Sequence, residues 1–427
     1  MLGPKDDNLD DWLHLMEETH EALADVYVIG LQEVPYDPGS LILDYYIRND
    51  PWSKRLMLFL SSKGIVVFAS ARMMGLLLLV AAKPLHLPHL REVRSTYTRT
   101  ALYGLLGTKG AVSVRFDLYG ESFCFVNNHF IAGDAYYEQR NHMYDLVMKK
   151  TLFQNCDKSQ ILDNRYVLFF GDFNYRIDNL DNASVKALIA AGDVSKLLED
   201  DQMLRCIREE KGFEGFCEAS VTFAPTYKFD VNTSTYDTLS KLPRKPAFCD
   251  RILLREQVGA EQQPSWSQHS YQSHPQYISS DHKPISAEVI VSIPQSVTSL
   301  PVVEFRFDPS FIPWTSDEDG VCIFHVKDYQ TSSWDWVGLY TLDFKNPRDY
   351  YTYEWSVSGA DETGENGCMV LFDDVPEEPG YYMFGYWSRK MECFLGLSDP
   401  FHVIPQQDEP QEVTVEVPPE TEPALSE

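Results

Sequence analysis

Acidic and histidine side chains stand at the ends of four apolar segments of this sequence. "DVYVIGLQEV" ends beside Glu33, "ESFCFVNNHF" beside His129 and "YVLFFGDFN" beside Asp172, while Asp281-His282 precedes "KPISAEVIVSI". Runs rich in β-branched and aromatic residues that stop at polar or glycine residues predict buried strands. One acid after a strand is an ordinary turn residue. Four such ends favour a polar cluster at the mouth of a layered α/β sheet.

The types of these residues point to metal-assisted hydrolysis. Glu33 and Asp172 offer two carboxylates on separate strands, Asn174 stands beside one of them, and Asp281-His282 adds an acid and an imidazole. Magnesium prefers carboxylate oxygens, keeps several waters and completes its shell with substrate phosphate. Phosphoryl transfer requires positioning and charge stabilisation more than covalent chemistry. The sequence therefore favours a Mg2+ site that acts on a phosphate ester.

Helical and strand patterns alternate through the first two-thirds of the chain, which is typical of an α/β fold. "NLDDWLHLMEETHEALA" and "AYYEQRNHMYDLVMKKTLF" carry apolar residues near helical spacing and predict helices. The segment "GAVSVRFDLYGESFCFVNNHF" predicts two strands joined at "YGES". "MGLLLLVAA" is too short to cross a bilayer and predicts a buried strand.

Beyond Ile293 the pattern changes to short, aromatic-rich strands separated by turn residues, which predicts a β-sandwich. We therefore expect a catalytic domain at residues 1–293, a linker at 294–301, a β-sandwich at 302–405 and an acidic tail at 406–427. The tail is rich in Pro and Glu and contains no basic residue, so it is expected to be disordered.

Composition excludes several classes of protein. The 427 residues carry 36 Lys and Arg against 64 Asp and Glu, a net charge of −28, which argues against general nucleic-acid binding. The eight cysteines are scattered without a CxxC pair, so neither a disulfide framework nor a zinc site is expected. The sequence shows no secretory signal and no segment typical of a transmembrane helix, and we expect a soluble chain.

Seven motifs identify a resemblance to a known family. They are "LQEV", "NNHF", "EQR", "GDFNYRI", "FAPTYKFD", "RKPAFCDRILLR" and "SDHKPI", in that order. Together they resemble the inositol polyphosphate 5-phosphatases over about residues 25–293, and the region around "SSWDWVGLY" resembles a SKICH domain. The resemblance implies a DNase I-like, four-layered α/β sandwich followed by a β-sandwich, with Mg2+ as cofactor.

The resemblance also implies roles for individual residues. Glu33 corresponds to a magnesium ligand. Asp172 corresponds to the residue that activates the attacking water, and His282 to the residue that stabilises the transferring phosphoryl group. Asp250 would hold the imidazole of His282 in one tautomer, as a carboxylate does in hydrolase triads. The complete implied catalytic group is Asp172, Asn174, His282, Asp250, His129 and Asp281.

A second set of residues is implied to bind the substrate. Tyr227, Lys228 and Arg244 match the positions that grip the 4-phosphate of the inositol ring in this family. A guanidinium and an ammonium suit a phosphate because one offers forked donors and the other a point charge. Lys109 of "GTKGA" is also implied to bind the substrate, and Arg140 of "EQR" corresponds to the arginine that helps to define the phosphate site.

The sequence departs from the family pattern at several positions. Thr108, Gly133, Leu242 and Phe248 replace the family's Asn, His, Lys and Trp. The family's opening "TWN" strand, whose Asn helps to bind magnesium, has no counterpart before residue 25. We therefore expect this chain, which would lack the first strand of the fold, to bind magnesium more weakly and to be less active than a chain that has such a strand.

Three functions follow as hypotheses. The first is a Mg2+-dependent 5-phosphatase of phosphatidylinositol 4,5-bisphosphate and 3,4,5-trisphosphate, with soluble inositol polyphosphates as further substrates. The second is an inactive member that acts as a membrane-binding or partner-binding scaffold. The third is a nuclease, which the acidic charge and the "PTYK" motif oppose. For the enzyme we expect a cytoplasmic protein, recruited peripherally to the plasma membrane or endomembranes by a protein partner of the SKICH-like domain.

Overall fold

A computed structural model describes residues 9–13, 23–35, 50–101, 106–257, 264–293, 302–307, 314–315, 320–356 and 368–404. Its helices are α1 (Pro51–Ser61), α2 (Tyr137–Lys150), α3 (Asn182–Ala191), α4 (Val194–Glu199) and α5 (Gln202–Arg208). Its strands up to residue 293 are β1 (Val26–Leu31), β2 (Val66–Met73), β3 (Leu76–Ala82), β4 (Leu90–Ala101), β5 (Leu106–Leu118), β6 (Glu121–His129), β7 (Tyr166–Asp172), β8 (Asp250–Glu256), β9 (Trp266–Ser273) and β10 (Ile285–Val291).

The first sheet is antiparallel, in the order β1-β3-β2. Alternation along β3 decides its two faces: Leu77 and Leu79 pack with the residues of α1, whereas Leu78 and Val80 pack toward the second sheet. The strand predicted from "MGLLLLVAA" is β3, and the residues before it, Val66–Met73, form β2. The chain reverses at Met74, whose φ is 49°, beside Gly75.

The second sheet has the order β4-β5-β6-β7-β8, and only β6 and β7 are parallel in it. Helix α2 makes the crossover between these parallel strands, as a parallel pair requires. The pairing register sets His129 opposite Asp172 and Asp172 opposite Asp250. Three polar strand ends therefore lie side by side at one edge of this sheet.

The two sheets face each other, and a helix lies on each outer face. Between the sheets, Val112, Val114 and Phe116 share one apolar cluster with Leu78 and Val80. On the outer face of the second sheet, residues such as Val126 and Phe169 pack with Tyr144 and Val147 of α2. The order helix, sheet, sheet, helix is the predicted four-layered α/β sandwich.

One further predicted segment is found in the structure, and others fall outside the described residues. The helix predicted at 135–153 corresponds to α2. Most of the helix predicted at 8–24, the linker at 294–301 and the tail at 406–427 lie outside the described residues. None of the helices in the described ranges is long and apolar enough to span a membrane.

The described residues after 302 form strands β11 (Val303–Arg306), β12 (Trp314–Thr315), β13 (Gly320–Val326), β14 (Trp336–Thr341), β15 (Thr352–Trp355), β16 (Cys368–Phe372), β17 (Gly380–Ser388), β18 (Cys393–Leu397) and β19 (Phe401–Ile404). One sheet has the order β11-β13-β16 and the other β12-β19-β17-β14-β15, with β18 beside β17. Aromatic rings join the sheets: Phe372 stacks on Phe384 at 5.6 Å, and Phe324 meets Tyr386 at 5.4 Å. This packing is the predicted β-sandwich.

Candidate active site

Strand register brings the candidate residues to one end of the second sheet. His129 lies between Gly110 of β5 and Asp172 of β7, and Asp172 lies beside Asp250 of β8. Gly171 makes this close approach possible, because its φ is 124° and a Cβ there would lie 2.4 Å from a backbone oxygen. The residue before Asp172 at the end of β7 is therefore a glycine for a steric reason: there is no room for a side chain.

Asp172 is buried and hydrogen-bonded through both carboxylate oxygens. Asn174 donates its backbone N–H to Oδ1 and its side-chain amide to Oδ2, both at 2.9 Å. Oδ2 also lies 3.3 Å from His129 Nε2. Burial alone would raise the pKa of this carboxyl, but the hydrogen bond from His129 and the charges of His282 and Lys109 hold it well below its usual range. Asp172 is therefore an ionised carboxylate at neutral pH.

Asp250 holds the imidazole of His282. His282 Nδ1 lies 2.9 Å from Asp250 Oδ2, and the same oxygen accepts a 2.6 Å hydrogen bond from Thr226. Burial alone would lower the pKa of His282, but the carboxylates of Asp250, Asp172 and Asp281 together raise it to about 9. His282 is therefore an imidazolium at neutral pH, with its ring orientation fixed by Asp250.

The metal-free protein should show this charge state directly. We expect the imidazole of His282 to titrate near pH 9, so that it loses its proton only as the pH rises through that value. Asp250→Asn should bring this pKa down toward the ordinary 6.5, because the amide removes the nearest negative charge. Proton NMR titration of the histidine ring signals measures both. A wild-type pKa at or below 6.5 would contradict the proposed charge state.

Glu33 lies in the turn after β1, with a left-handed backbone (φ 57°). Arg72 supports this turn, since its Nη2 donates to the carbonyl of Pro35 at 2.9 Å and its Nη1 pairs with Asp50 at 2.8 Å. The ion pair is buried, and Asp50 also caps α1 through the backbone N–H of Ser53. The start of α1 therefore positions the Glu33 turn.

The donor set fits magnesium, with one addition to the sequence prediction. Asp172, Asp250 and His282 offer ligand atoms within 4.8 Å of one another, but His282 Nδ1 is engaged by Asp250. Glu33 is not in this group. Its Oε1 lies 3.9 Å from His129 Nε2, the nitrogen that Asp172 also approaches. The carboxylates of Glu33 and Asp172 are the hard oxygen donors that Mg2+ would select. Glu33 therefore remains a predicted magnesium ligand, and Asp172 is added as a second predicted ligand.

A cleft of about 430 Å³ opens beside these groups. Lys109 reaches into the same region, where its Nζ contacts Nε2 of His129, the nitrogen that faces Asp172. Burial lowers the pKa of Lys109, although the charges of Asp172 and Glu33 act in the opposite direction. The cleft is lined by Glu33, Val34, Pro35, Gly75, Thr108, Lys109 and His129.

Arg140 does not line the site surface, which corrects its predicted role in substrate binding. Its side chain has no exposed surface. Its Nη1 donates to the carbonyls of Ile131 and Gly133 at 3.1 and 2.7 Å, and its Nη2 donates to Gln202 at 2.6 Å. Arg140 therefore supports the loop that follows β6 from beneath.

The predicted 4-phosphate residues lie next to the catalytic group. The Tyr227 ring lies 4.7 Å from the His282 ring. Lys228 Nζ lies 3.4 Å from Ser240, and its carbonyl accepts the backbone N–H of Asp237. The carboxylate of Asp237 in turn accepts the backbone N–H of Arg244 at 2.8 Å. The loop between Lys228 and Arg244 is thus folded back on itself.

Two residues of the site were not found by sequence reasoning. Arg176 is buried, donates to the side-chain oxygen of Asn174 at 2.6 Å and lies over the Tyr227 ring at 4.4 Å. Thr226 bonds Asp250, as described above. Both stand inside quoted motifs, "GDFNYRI" and "FAPTYKFD". The available signal was their proximity to Asn174 and Tyr227, but residue type alone did not indicate their contacts.

Comparisons with known proteins agree with this geometry. Residues 2–288 match the Endonuclease/Exonuclease/phosphatase family 2, and residues 307–403 match the SKICH domain. The chain is 35% identical over 93% of its length to human phosphatidylinositol 4,5-bisphosphate 5-phosphatase A, of which it spans 40%. It is 32% identical over 93% of its length to mouse inositol polyphosphate 5-phosphatase K, of which it spans 86%.

A solved structure is also similar. It is the inositol polyphosphate 5-phosphatase domain of spsynaptojanin, determined in complex with inositol (1,4)-bisphosphate and a calcium ion. The match covers 66% of the present chain and 80% of that domain, with 36% sequence identity and a TM-score of 0.56.

Proposed function

The chain belongs to the Endonuclease/Exonuclease/phosphatase family 2, and from this premise we propose that it is a magnesium-dependent 5-phosphatase of phosphoinositides that also carry a 4-phosphate. Phosphatidylinositol 4,5-bisphosphate and 3,4,5-trisphosphate are the proposed substrates, with soluble inositol polyphosphates as further ones. The observation that carries the proposal is the row His129, Asp172 and Asp250, with His282 held by Asp250, next to the cleft that Glu33, Lys109 and His129 line.

The chain's own groups support a direct attack of water on phosphorus. The ionised Asp172, oriented by Asn174, accepts a proton from water as the water oxygen bonds to phosphorus. The bond from phosphorus to the 5-oxygen breaks and this oxygen takes up a proton from solvent, which yields inorganic phosphate and a free hydroxyl group. The imidazolium of His282 stabilises the negative charge of the transferring group. Magnesium held by Glu33 and Asp172 would supply a Lewis acid for the phosphoryl oxygens.

The 4-phosphate would be held by Lys228 and Arg244, with Tyr227 between them and His282. Arg176 keeps Tyr227 and Asn174 in place through its stacking and hydrogen bonds. Arg244 is exposed, so its guanidinium is accessible to a phosphate from solvent. This arrangement supports discrimination between substrates with and without a 4-phosphate.

Two leucines on the same loop support a membrane-bound substrate. Leu239 and Leu242 are 81% and 82% exposed, and both stand between Lys228 and Arg244 in the sequence. Single exposed leucines are common, but two highly exposed leucines with Lys241 between them and Arg244 after them suit an interface of anionic lipid. The loop would enter the interface while the cations contact headgroups.

Replacing both leucines with serine should separate lipid from soluble substrates. We expect Leu239→Ser/Leu242→Ser to lower phosphate release from phosphatidylinositol 4,5-bisphosphate vesicles by about 10-fold, because partial loss of two buried leucines weakens interfacial binding. Release from soluble inositol 1,4,5-trisphosphate should not change.

Leu85→Ser/Leu152→Ser is the matched control, since these leucines are 59% and 53% exposed and Leu85 lies beside the β5–β6 turn, at the far end of the sheet. Equal losses in both double variants, or equal losses on both substrates, would refute a role of this loop at the membrane.

The proposed activity is tested by phosphate release from phosphatidylinositol 4,5-bisphosphate with Mg2+ and with excess EDTA. We expect turnover with Mg2+, none after chelation, and none on phosphatidylinositol 4-phosphate, which has no 5-phosphate. Vesicle binding without turnover would favour the scaffold hypothesis instead. Cleavage of plasmid DNA would favour the nuclease hypothesis.

The β-sandwich is proposed to recruit the enzyme. Residues 302–405 would form a SKICH-like domain that binds a protein partner and directs a cytoplasmic enzyme to the plasma membrane or endomembranes. The match of this region to the SKICH domain supports the proposal. The remaining segments of the organisation proposed from the sequence are the catalytic domain at 1–293, the linker at 294–301 and the tail at 406–427.

A further inference from the structure

The SKICH region (residues 307–403) covers one side of the catalytic fold. The strands on that side are β2 and β4, which stand at the edges of the first and second sheets among the described strands. Phe68 of β2 and Val93 of β4 share one apolar cluster with Trp387, Cys393 and other residues of the SKICH region. The core between the two sheets is thus continuous with the core of the β-sandwich.

Irregularities in both edge strands serve this contact. The register of β2 shifts between Val67 and Ala69, and that of β4 shifts between Arg91 and Arg94. A bulge releases backbone N–H groups from the ladder. Here the N–H of Val67 donates to the carbonyl of Lys345 at 3.0 Å, and that of Val93 donates to the carbonyl of Met391 at 3.2 Å.

Arg94 fixes the turn of the SKICH region that follows β17. Its Nη1 donates to the carbonyl of Met391 at 3.1 Å and its Nη2 to that of Lys390 at 3.0 Å. The same guanidinium holds the carbonyl of Asn155 at 2.9 Å. Cys393 Sγ adds a contact of 3.1 Å to the carbonyl of Leu90. The junction between the two regions is therefore held by backbone bonds on both edge strands.

A cleft of about 380 Å³, here called the junction cleft, opens at this contact. It is separate from the catalytic cleft. Ser95 of β4, which lines it, pairs with Val114, whereas the catalytic end of β5 is Gly110 opposite His129. Four residues of extended strand span about 13 Å. The polar and charged residues that line it include Ser70, Ser95, Asn346, Arg348, Trp387 and Arg389.

Hydrogen-bond donors exceed acceptors in this lining. The guanidinium of Arg348 makes no hydrogen bond or ion pair with a described residue, and only its backbone N–H is engaged. Arg389 Nη1 lies 4.0 Å from Glu392, at the limit of an ion pair. The guanidiniums of Arg348 and Arg389 thus line the cleft with a single carboxylate, that of Glu392. The cleft therefore has a local excess of positive charge, although the whole chain has a net charge of −28.

We propose that the junction cleft is a second ligand site, which binds a phosphate monoester group of an inositol phosphate or of a phosphoinositide headgroup. A guanidinium donates forked hydrogen bonds to phosphate oxygens, and that of Arg348 has no competing partner among the described residues. The volume suits a small ligand, and clefts between packed domains are common places for one. The site lies on the junction, so a bound ligand would touch both regions.

Binding to the full chain tests the proposal. Inositol 1,4-bisphosphate is the soluble probe, since it has no 5-phosphate to lose, and vesicles that contain phosphatidylinositol 4-phosphate are the lipid probe. We expect two binding events in calorimetry of the wild-type chain. Arg348→Ala/Arg389→Ala should weaken one of them at least 10-fold, and Lys228→Ala/Arg244→Ala should weaken the other.

A matched control removes the same charge elsewhere on the β-sandwich. Arg306→Ala/Lys327→Ala changes two exposed cations that do not line the cleft and should leave both events intact. Loss of only the vesicle binding in Arg348→Ala/Arg389→Ala would identify a lipid headgroup as the ligand, and loss of only the calorimetric event a soluble one.

Identical binding by Arg348→Ala/Arg389→Ala and wild-type chains overturns the proposal, as does an equal loss in the control. Both altered arginines are exposed, so the melting temperature should not change. Turnover is measured separately, so an inactive chain would still report on the junction cleft.

Discussion

Asp172→Asn is expected to lower kcat for phosphate release by about 10²–10⁴-fold, the range typical of a lost general base. The amide cannot accept the proton of the attacking water. It also removes the negative charge that faces His129 and His282. Its amino group would meet the side-chain amide of Asn174, which now donates to Oδ2. Initial rates at saturating phosphatidylinositol 4,5-bisphosphate and Mg2+ measure the effect.

Asp145→Asn is the matched control for this substitution. It makes the same chemical change on the outer helix α2, where the side chain of Asp145 is 48% exposed and pairs only with Lys149 among the described residues. Its kcat should equal that of the wild-type chain. If Asp172→Asn keeps more than a tenth of wild-type kcat with an unchanged melting temperature, Asp172 is not the general base.

A chain ended at Ile293 is expected to be less stable by more than about 3 kcal/mol, and to melt roughly 10 °C lower. Removal of the SKICH region exposes the edge strands β2 and β4 and the part of the apolar core around Phe68. It also leaves the N–H groups of Val67 and Val93 without their acceptors. Scanning calorimetry of the shortened and full chains measures the difference.

A chain ended at Ile404 is the control for this truncation. It removes only residues 405–427, most of which form the tail that composition predicts to be disordered, and should melt with the full chain. If the chain ended at Ile293 melts at the same temperature as both longer chains, the SKICH region contributes nothing to the stability of the catalytic fold.

The sequence predicted the α/β layering and the β-sandwich correctly, because alternation and aromatic strands are local patterns. The resemblance to SKICH-containing 5-phosphatases is confirmed by the family matches and the curated relatives. The roles of Glu33 and the catalytic group remain predictions. The strand predicted from "MGLLLLVAA" is found as β3, which follows the turn at Met74-Gly75.

Arg140 shows the limit of reasoning from motifs. The "EQR" motif predicted that Arg140 lies near the site. The burial of Arg140, however, depends on how α2 packs over the loop after β6. Arg176 of "GDFNYRI" shows the opposite error, since it was not predicted to belong to the site. In the structure it contacts both Asn174 and Tyr227. Side-chain direction follows from packing, which a linear motif does not contain.

The linear sequence specifies which groups stand at the strand ends, Glu33, His129 and Asp172, and therefore the chemistry open to them. Residue type and short-range periodicity are properties of neighbours along the chain. The tertiary structure decided that Asp250 meets His282 and that β2 and β4 meet the SKICH region. Such contacts depend on strand register and on the packing of distant segments, because burial of shared apolar surface, and not local propensity, selects which segments come together.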